Sequence, residues 1–90
     1  MSTRLPTKAP GDVLDYTVPW VTELNGDAIL GSQWFLPAGL TRVTDSYSPS
    51  GTVVWLSGGT VGNSYALTNR VTTAGGRTIE RRFFIRIRNL

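Results

Sequence analysis

Six carboxylates are the main candidates for acid–base chemistry, because the chain contains neither histidine nor cysteine. They are Asp12, Asp15, Glu23, Asp27, Asp45 and Glu80. An acid–base pair needs two carboxyl groups on one surface, with the pKa of one of them raised. No spacing in the sequence places two carboxylates in this way. We therefore predict that the chain is not an enzyme.

The patterns of metal and phosphate sites are also missing. Asp12, Asp15 and Asp27 could supply oxygen ligands to calcium at loop ends, but the sequence has no dense Asp/Asn/Gly ligand loop. Gly58-Gly59 and Gly75-Gly76 lack the lysine and the strand-to-helix context of a phosphate-binding loop, so they predict turns. We expect no cofactor and no metal.

The other chemistry in the sequence is cationic. Arg82, Arg86 and Arg88 alternate along one side of a strand pattern, and Phe84 lies among them. Such a stripe could hold single-stranded nucleic acid by phosphate contacts and stacking. Alternatively, the charges protect an edge strand from unwanted pairing, and Phe84 contacts a neighbouring subunit. We favour the second interpretation.

Charge is distributed unevenly along the 90 residues, whose formal net charge is +3. Residues 1–40 carry two basic and four acidic side chains (−2), and residues 41–90 carry seven arginines and two acids (+5). The two halves are therefore complementary in sign. This could favour head-to-tail contact between copies or contact with an acidic partner, although it also fits solubility or pairing within the chain.

The cationic stripe belongs to a long predicted hairpin, Tyr65–Arg88. Alternation with a period of two places one apolar side on each arm, and the intervening glycines can form a tight turn. The sides predicted to face a core are Tyr65, Leu67, Asn69 and Val71 on the first arm, and Ile79, Phe83, Ile85 and Ile87 on the second. A lone hairpin is marginally stable, so a second layer must cover its apolar face.

Upstream strands are predicted to supply that layer. Residues 13–20 are the first strand, with Leu14, Tyr16, Val18 and Trp20 inward, and Pro19 marks an edge strand or the end of its pairing. Residues 28–36 follow, with Ile29 and Trp34 inward and a bulge or bend near Gly31, and then residues 40–47, with Val43 and Leu40 buried. Residues 52–56 are apolar on both sides, which predicts a central strand or a face covered by something outside the domain. No segment has a sustained helical period. The pattern predicts an all-β antiparallel sandwich of six to seven strands in one domain, residues 12–90.

Residues 1–11 carry two prolines and are predicted to form an extended N-terminal arm. The arm is interpreted either as a frayed terminus or as a segment that orders only against a neighbouring subunit. No apolar run is long enough to span a bilayer, and the start of the chain lacks a secretory signal. We expect a soluble protein made in the cytoplasm, without membrane contact.

Two resemblances make the sandwich prediction more specific. Tyr65, two residues before the buried position Leu67, resembles the tyrosine corner of immunoglobulin-like domains, which predicts that its hydroxyl bonds backbone in the preceding loop. In addition, residues 14–20, 25–27, 32–40, 53–62 and 68–77 resemble small immunoglobulin-like structural proteins of tailed bacteriophages, labelled fiber-tail adaptor or head-tail structural proteins. Pro19 stands where these sequences usually carry an acidic residue. The resemblance implies an immunoglobulin-like fold and a virion component that binds other virion proteins.

The resulting functional hypothesis is a virion adaptor that links tail or neck and fiber, or neighbouring virion proteins, in a symmetric assembly of several copies. Candidate partner contacts are Arg4, Leu5, Lys8, Trp20, Trp55, Arg82, Phe84, Arg86 and Arg88. A capsid decoration or cement protein is the alternative of the same class. A carbohydrate-binding module with Trp20, Trp55 or Tyr47 as a flat platform is the alternative of another class, and nucleic-acid binding comes third.

Overall fold

A computed structural model describes residues 2–89, which contain seven strands and one short helix. The strands are β1 (Ser2–Arg4), β2 (Leu14–Pro19), β3 (Ile29–Phe35), β4 (Leu40–Ser48), β5 (Gly51–Gly58), β6 (Ser64–Thr73) and β7 (Thr78–Arg86), and helix α1 is Val21–Leu24. Met1 and Leu90, the ends of the predicted arm and domain, lie outside the described residues.

The strands form two sheets with the orders β1-β7-β6-β3 and β2-β5-β4. Every neighbouring pair is antiparallel except β1 and β7, which run parallel. The orders β3-β6-β7 and β2-β5-β4 correspond to the C-F-G and B-E-D sheets of an immunoglobulin constant-type domain. The chain is therefore an immunoglobulin-like β-sandwich, as the sequence pattern predicts.

The C-terminal hairpin faces the core as its alternation predicts. β6 pairs with β7 so that Tyr65 opposes Ile85 and Leu67 opposes Phe83, and all four side chains are buried. The rings of Phe83 and Trp34 lie 5.9 Å apart in a tilted arrangement. Fully burying a side chain such as Ile85 contributes about 1.5–3 kcal/mol relative to leaving it in water. The three-stranded sheet covers this surface with Tyr16, Val18, Val54 and Leu56.

A buried polar network joins the two sheets inside this apolar core. Trp20 Nε1 donates to Thr52 Oγ1 (3.1 Å) and to Asn69 Oδ1 (3.2 Å), and the Thr52 hydroxyl donates to the same Asn69 oxygen (2.8 Å). The Asn69 amide nitrogen in turn donates to Ser32 Oγ and to the Gln33 carbonyl oxygen. Such a network stabilises one arrangement of the sheets, because each buried polar group has a partner.

Two local predictions about the strands differ in outcome. The register of β3 against β6 shifts between Ile29 and Gly31, so the predicted bulge is confirmed and both Ile29 and Trp34 are buried. The prediction that Val43 is buried is wrong: β4 has its own register shift between Arg42 and Thr44, and Val43 lies exposed at this shift. A second bulge therefore changes the face on which later β4 residues lie.

Helix α1 was not indicated by the sequence pattern. It has four residues, begins after Trp20 and ends at Leu24, and it is followed by the C-cap residue Asn25, whose φ of 49° is left-handed. One turn is too short to show a helical period. No helix within residues 2–89 is long and apolar enough to cross a membrane.

The N-terminal segment lies along β7 of its own chain. Ser2, Thr3 and Arg4 pair with Arg82, Phe83 and Phe84, and the bridge between Lys8 and Ile87 extends the contact. The hypothesis that this segment orders only against a neighbouring subunit is therefore wrong. β7 is likewise not an edge strand, because β1 covers the side of β7 that β6 leaves open.

Candidate interaction surfaces

The outer side of β7 presents arginines around one aromatic ring. Arg82, Phe84 and Arg86 alternate along the strand, and Arg4 lies beside Phe84 on β1. Arg82 and Arg86 are exposed, Phe84 is half-buried, and Arg88 continues the alternation as an exposed residue beyond the strand end. We call the surface formed by Arg4, Arg82, Phe84, Arg86 and Arg88 the cationic face.

The arginines of the cationic face have no acidic partners within residues 2–89. The ion pairs of this part of the chain involve other arginines: Arg42 with Asp45, Arg70 with Glu80, and Arg77 with Asp27. Arg4, Arg82, Arg86 and Arg88 take part in none of them. Their charges are therefore available to an external partner, and repel one another without one.

Other charged and aromatic side chains on the outer side of the four-stranded sheet already contact one another. Arg70 pairs with Glu80, and its guanidinium carbon lies 4.9 Å from the centre of the Phe35 ring. This cation–π contact covers one face of Phe35. Phe35 remains 45% exposed beside this contact, whereas Phe84 is half-buried and has no cation–π contact within the described residues. Ala66, which opposes Phe84 on β6, is small and exposed, and leaves that flank of the ring open.

Trp55 lies on the opposite side of the molecule, on the outer surface of the three-stranded sheet. It is 39% exposed and opposes Asp15 on β2 and Thr44 on β4. Val54 and Leu56, its neighbours in β5, are completely buried, so Trp55 points away from the core. Trp55 is therefore a solvent-accessible aromatic side chain on the outer surface of this sheet.

The structure does not bring together the rings proposed for a carbohydrate platform. Trp20 is completely buried. Tyr47 opposes the buried residue Thr52 and donates its hydroxyl to the Leu30 carbonyl oxygen (2.7 Å), so it closes the gap between β4 and β3. Trp55 points to the other side of the same sheet. A flat aromatic platform from these three residues is therefore not formed.

Three of the predicted partner contacts are buried within the chain itself. Leu5 and Trp20 belong to the hydrophobic core, and Lys8 is also completely buried. Leu5 and Trp20 line the base of a cleft between β2 and β7, above which the Arg81 guanidinium lies 5.9 Å from the centre of the Trp20 ring. The side chains of Leu5, Lys8 and Trp20 are therefore used in folding and are not exposed to a partner.

Lys8 and Tyr16 fix the N-terminal segment to the sandwich. Lys8 Nζ donates to the carbonyl oxygens of Gly58 (2.7 Å) and Ala9 (2.8 Å), and the Tyr16 hydroxyl donates to that of Pro6 (3.2 Å). Burial lowers the pKa of Lys8, opposed by the nearby charge of Asp12, whereas burial and the same acidic neighbourhood raise the pKa of Tyr16 to about 12. Arg4 is therefore held close to Phe84 by anchors farther along the segment.

The carboxylates considered for catalysis or calcium are dispersed, and most are engaged. Asp27, Asp45 and Glu80 form ion pairs, and Asp12 Oδ2 accepts the Ala9 N–H (3.2 Å). Within the described residues, no group of three or more histidine, cysteine, aspartate or glutamate side chains is placed to hold a metal ion. Asp27, suggested as a calcium ligand, instead binds the turn between β6 and β7.

The predicted tyrosine corner is confirmed. The Tyr65 hydroxyl accepts the backbone N–H of Thr60 at 3.0 Å, across the loop before β6. Gly39 packs against the Tyr65 ring, because a Cβ on Gly39 would lie 3.2 Å from the ring carbon Cε1. This arrangement is a hallmark of immunoglobulin-like sandwiches.

The fold and these surfaces define a small immunoglobulin-like module whose chemically distinctive groups lie on its outer strand faces. Residues 8–86 match the family described as podophage GP4 fiber-tail adaptor protein gp77. The chain belongs to this family of phage structural adaptors, which confirms the resemblance seen in the sequence. A search of curated proteins finds no match.

Proposed function

We propose that the chain is a non-enzymatic structural subunit of the virion of a tailed phage. In this role it connects the tail or neck with the fiber, or with other neighbouring virion proteins. Several copies act in a symmetric assembly, and each copy contributes its exposed strand surfaces, including Arg4 of the N-terminal segment. The matching family supports this role, because its description refers to an adaptor between fiber and tail.

The observation that carries the proposal is the presence of two different exposed surfaces on opposite sheets. The cationic face lies on β7 and β1, and Trp55 lies on the outer side of β5. An adaptor needs two contact surfaces held at a fixed separation, and a sandwich with a continuous core supplies such a frame. Arginine and aromatic side chains are also the types enriched at protein interfaces.

We favour the role of an adaptor over that of a capsid decoration protein, because the family description names fiber and tail and not the shell. The carbohydrate-binding alternative receives no support from the arrangement of Trp20, Tyr47 and Trp55. Nucleic-acid binding is considered below as an outcome of an experiment.

A phage with an early stop codon in the gene for this chain tests the proposal. We expect particles grown in a non-suppressing host to lack the chain by mass spectrometry and to show tails without fibers by electron microscopy. Expression of the wild-type chain in the same host is expected to restore the fibers. Fully fibred, infectious particles without the chain would contradict the proposed function.

A further inference from the structure

We propose that the cationic face binds an acidic surface of a different protein, with the Phe84 ring inserted at the centre of the contact. This inference rests on the proposed adaptor function and deepens it by giving the chemistry of one partner. It concerns the outer side of β7 and β1, not the Trp55 surface.

The cationic face places positive charges around an apolar centre, the Phe84 ring. Arg82 and Arg86 lie two positions on either side of Phe84, which separates their Cα atoms by about 13 Å along the strand. Arg4 lies on the neighbouring strand beside Phe84. Arginines therefore lie on three sides of a half-buried ring. Protein interfaces typically have this arrangement, in which an aromatic anchor is buried at the centre and polar or charged residues form the rim.

The arginines of the cationic face indicate that the partner is negatively charged. Four arginines of this face have no ion pair with residues 2–89, so a neutral or basic partner would have to desolvate them without compensation. Carboxylates can bind each guanidinium by two parallel hydrogen bonds. A partner with several aspartates or glutamates around an apolar residue would match both the charges and Phe84.

A second copy of this chain is not the main source of those carboxylates. Asp12, Asp27, Asp45 and Glu80 already accept hydrogen bonds or form ion pairs within the chain. The acids that remain are Asp15, which is exposed on β2, and Glu23, which is half-buried on α1 and lines the cleft. They belong to different elements, and two carboxylates are too few for four arginines.

The aromatic rings and the shape of this surface fit a protein partner better than a nucleic acid. Single strands bind by stacking successive bases on several open aromatic rings. On this sheet side the Arg70 guanidinium occupies one face of the Phe35 ring, although Phe35 is 45% exposed, and Phe84 is half-buried, so no row of fully open rings is present within the described residues. Duplex DNA is read by a helix or a two-stranded ribbon that enters a groove, whereas this surface is one side of a four-stranded sheet.

The test uses the full chain and phage particles that lack it, prepared from the stop-codon phage. Purified chain is added back, and binding to the particles is measured by sedimentation over a range of concentrations. The variants are Phe84→Ala and Arg86→Gln, with Arg42→Gln as the matched control. Arg42 is also an exposed strand arginine, but it lies on β4, away from the cationic face. Thermal unfolding checks that each variant is folded.

We expect wild type and Arg42→Gln to bind equally, and Phe84→Ala and Arg86→Gln to bind about tenfold or more weakly. In a second measurement, the photo-crosslinker p-benzoylphenylalanine replaces Phe84, and the crosslinked peptides are identified. The expected peptide is an acid-rich segment of another virion protein.

The possible failures are distinguishable. If the wild-type chain does not bind the depleted particles, the proposed function fails. If it binds but Phe84→Ala and Arg86→Gln bind as tightly as wild type, only this inference is overturned. Crosslinks to peptides of this chain would overturn it in favour of self-association, and crosslinks to nucleic acid would overturn it in favour of nucleic-acid binding.

Discussion

Arg77 binds Asp27, which lies 50 positions earlier in the chain, with Arg77 Nη2 at 3.1 Å from Asp27 Oδ2. The same nitrogen donates to the carbonyl oxygen of Leu24, and the Gly75 N–H donates to Asp27 Oδ1 at 2.9 Å. These contacts attach the turn between β6 and β7 to the loop that follows α1. A Cβ on Gly75 would lie 2.7 Å from Asp27 Oδ2, so the glycine permits this close approach.

The Asp27 contacts predict a pH dependence of stability. Hydrogen bonds, first from the Thr73 hydroxyl and then from the Ala28 N–H, lower the pKa of Asp27 to about 2. Because the folded pKa is lowered, the stabilisation is present above the ordinary pKa of 3.8 and is lost as the pH falls through about 2. We expect Asp27→Asn to lower the midpoint of thermal unfolding at neutral pH, and this difference from wild type to shrink at acidic pH.

The control for Asp27→Asn is Asp15→Asn, which removes an exposed carboxylate that has no ion pair within the described residues. This control is expected to leave the midpoint at neutral pH nearly unchanged. A difference between wild type and Asp27→Asn that stayed constant down to about pH 2 would contradict the role given to the Asp27 carboxylate.

The polar network in the core makes Asn69 a sensitive position. Asn69→Leu leaves the completely buried Thr52 hydroxyl without its acceptor and also removes the donor to the part-buried Gln33 carbonyl oxygen. We expect the free energy of unfolding to fall by about 2–3 kcal/mol, measured by urea denaturation. Gln33→Leu, which removes an exposed amide from β3, should change it by less than about 0.5 kcal/mol. Equal stabilities of the two variants would show that the network is dispensable.

The tyrosine corner can be tested with a pair of matched substitutions. Tyr65→Phe removes the hydroxyl that accepts the Thr60 N–H, and Tyr47→Phe removes the hydroxyl that donates to Leu30. Because Tyr65 is buried and Tyr47 is exposed, we expect Tyr65→Phe to cause the larger decrease in the midpoint of thermal unfolding. A larger decrease for Tyr47→Phe would contradict the importance assigned to the corner.

Substitutions at two glycines with similar φ angles can distinguish the cost of backbone strain from the cost of overpacking. Gly59 has a φ of 101° and a Cβ there would lie 2.6 Å from Ile87 Cγ1, whereas Gly62 has a φ of 89° and no neighbour within 4 Å of such a Cβ. Gly62→Ala should cost about 1–2 kcal/mol from backbone strain alone. Gly59→Ala adds overpacking and should cost about 2–5 kcal/mol, measured by chemical denaturation. Similar losses for both variants would show that Ile87 moves aside freely.

Much of the sandwich could be predicted from sequence because its strands alternate clearly. The inward sides of β6 and β7, the burial of Trp34 and the bulge at Gly31 follow from residue type and a period of two. The tyrosine corner was also predictable, since Tyr65 and Leu67 have its characteristic spacing. These features depend on neighbours in the chain or on one face of one strand.

The features that could not be predicted depend on partners distant in the chain. β4 gives no sequence sign of its bulge, so the exposure of Val43 was missed. Lys8 is a lysine in a polar segment, and its burial depends on the Gly58 carbonyl oxygen 50 positions away. The pairing of β1 with β7 also joins segments that are distant in the chain. This pairing places Arg4 beside Phe84 and therefore in the cationic face.

The most direct test of the central claim is a cryo-electron microscopy map of the virion that contains the chain. The account predicts that the chain lies between the tail and a fiber, with an acidic segment of another polypeptide against Phe84 and Arg86. A map in which the chain is absent from the particle, or in which the cationic face is open to solvent in every copy, would contradict it.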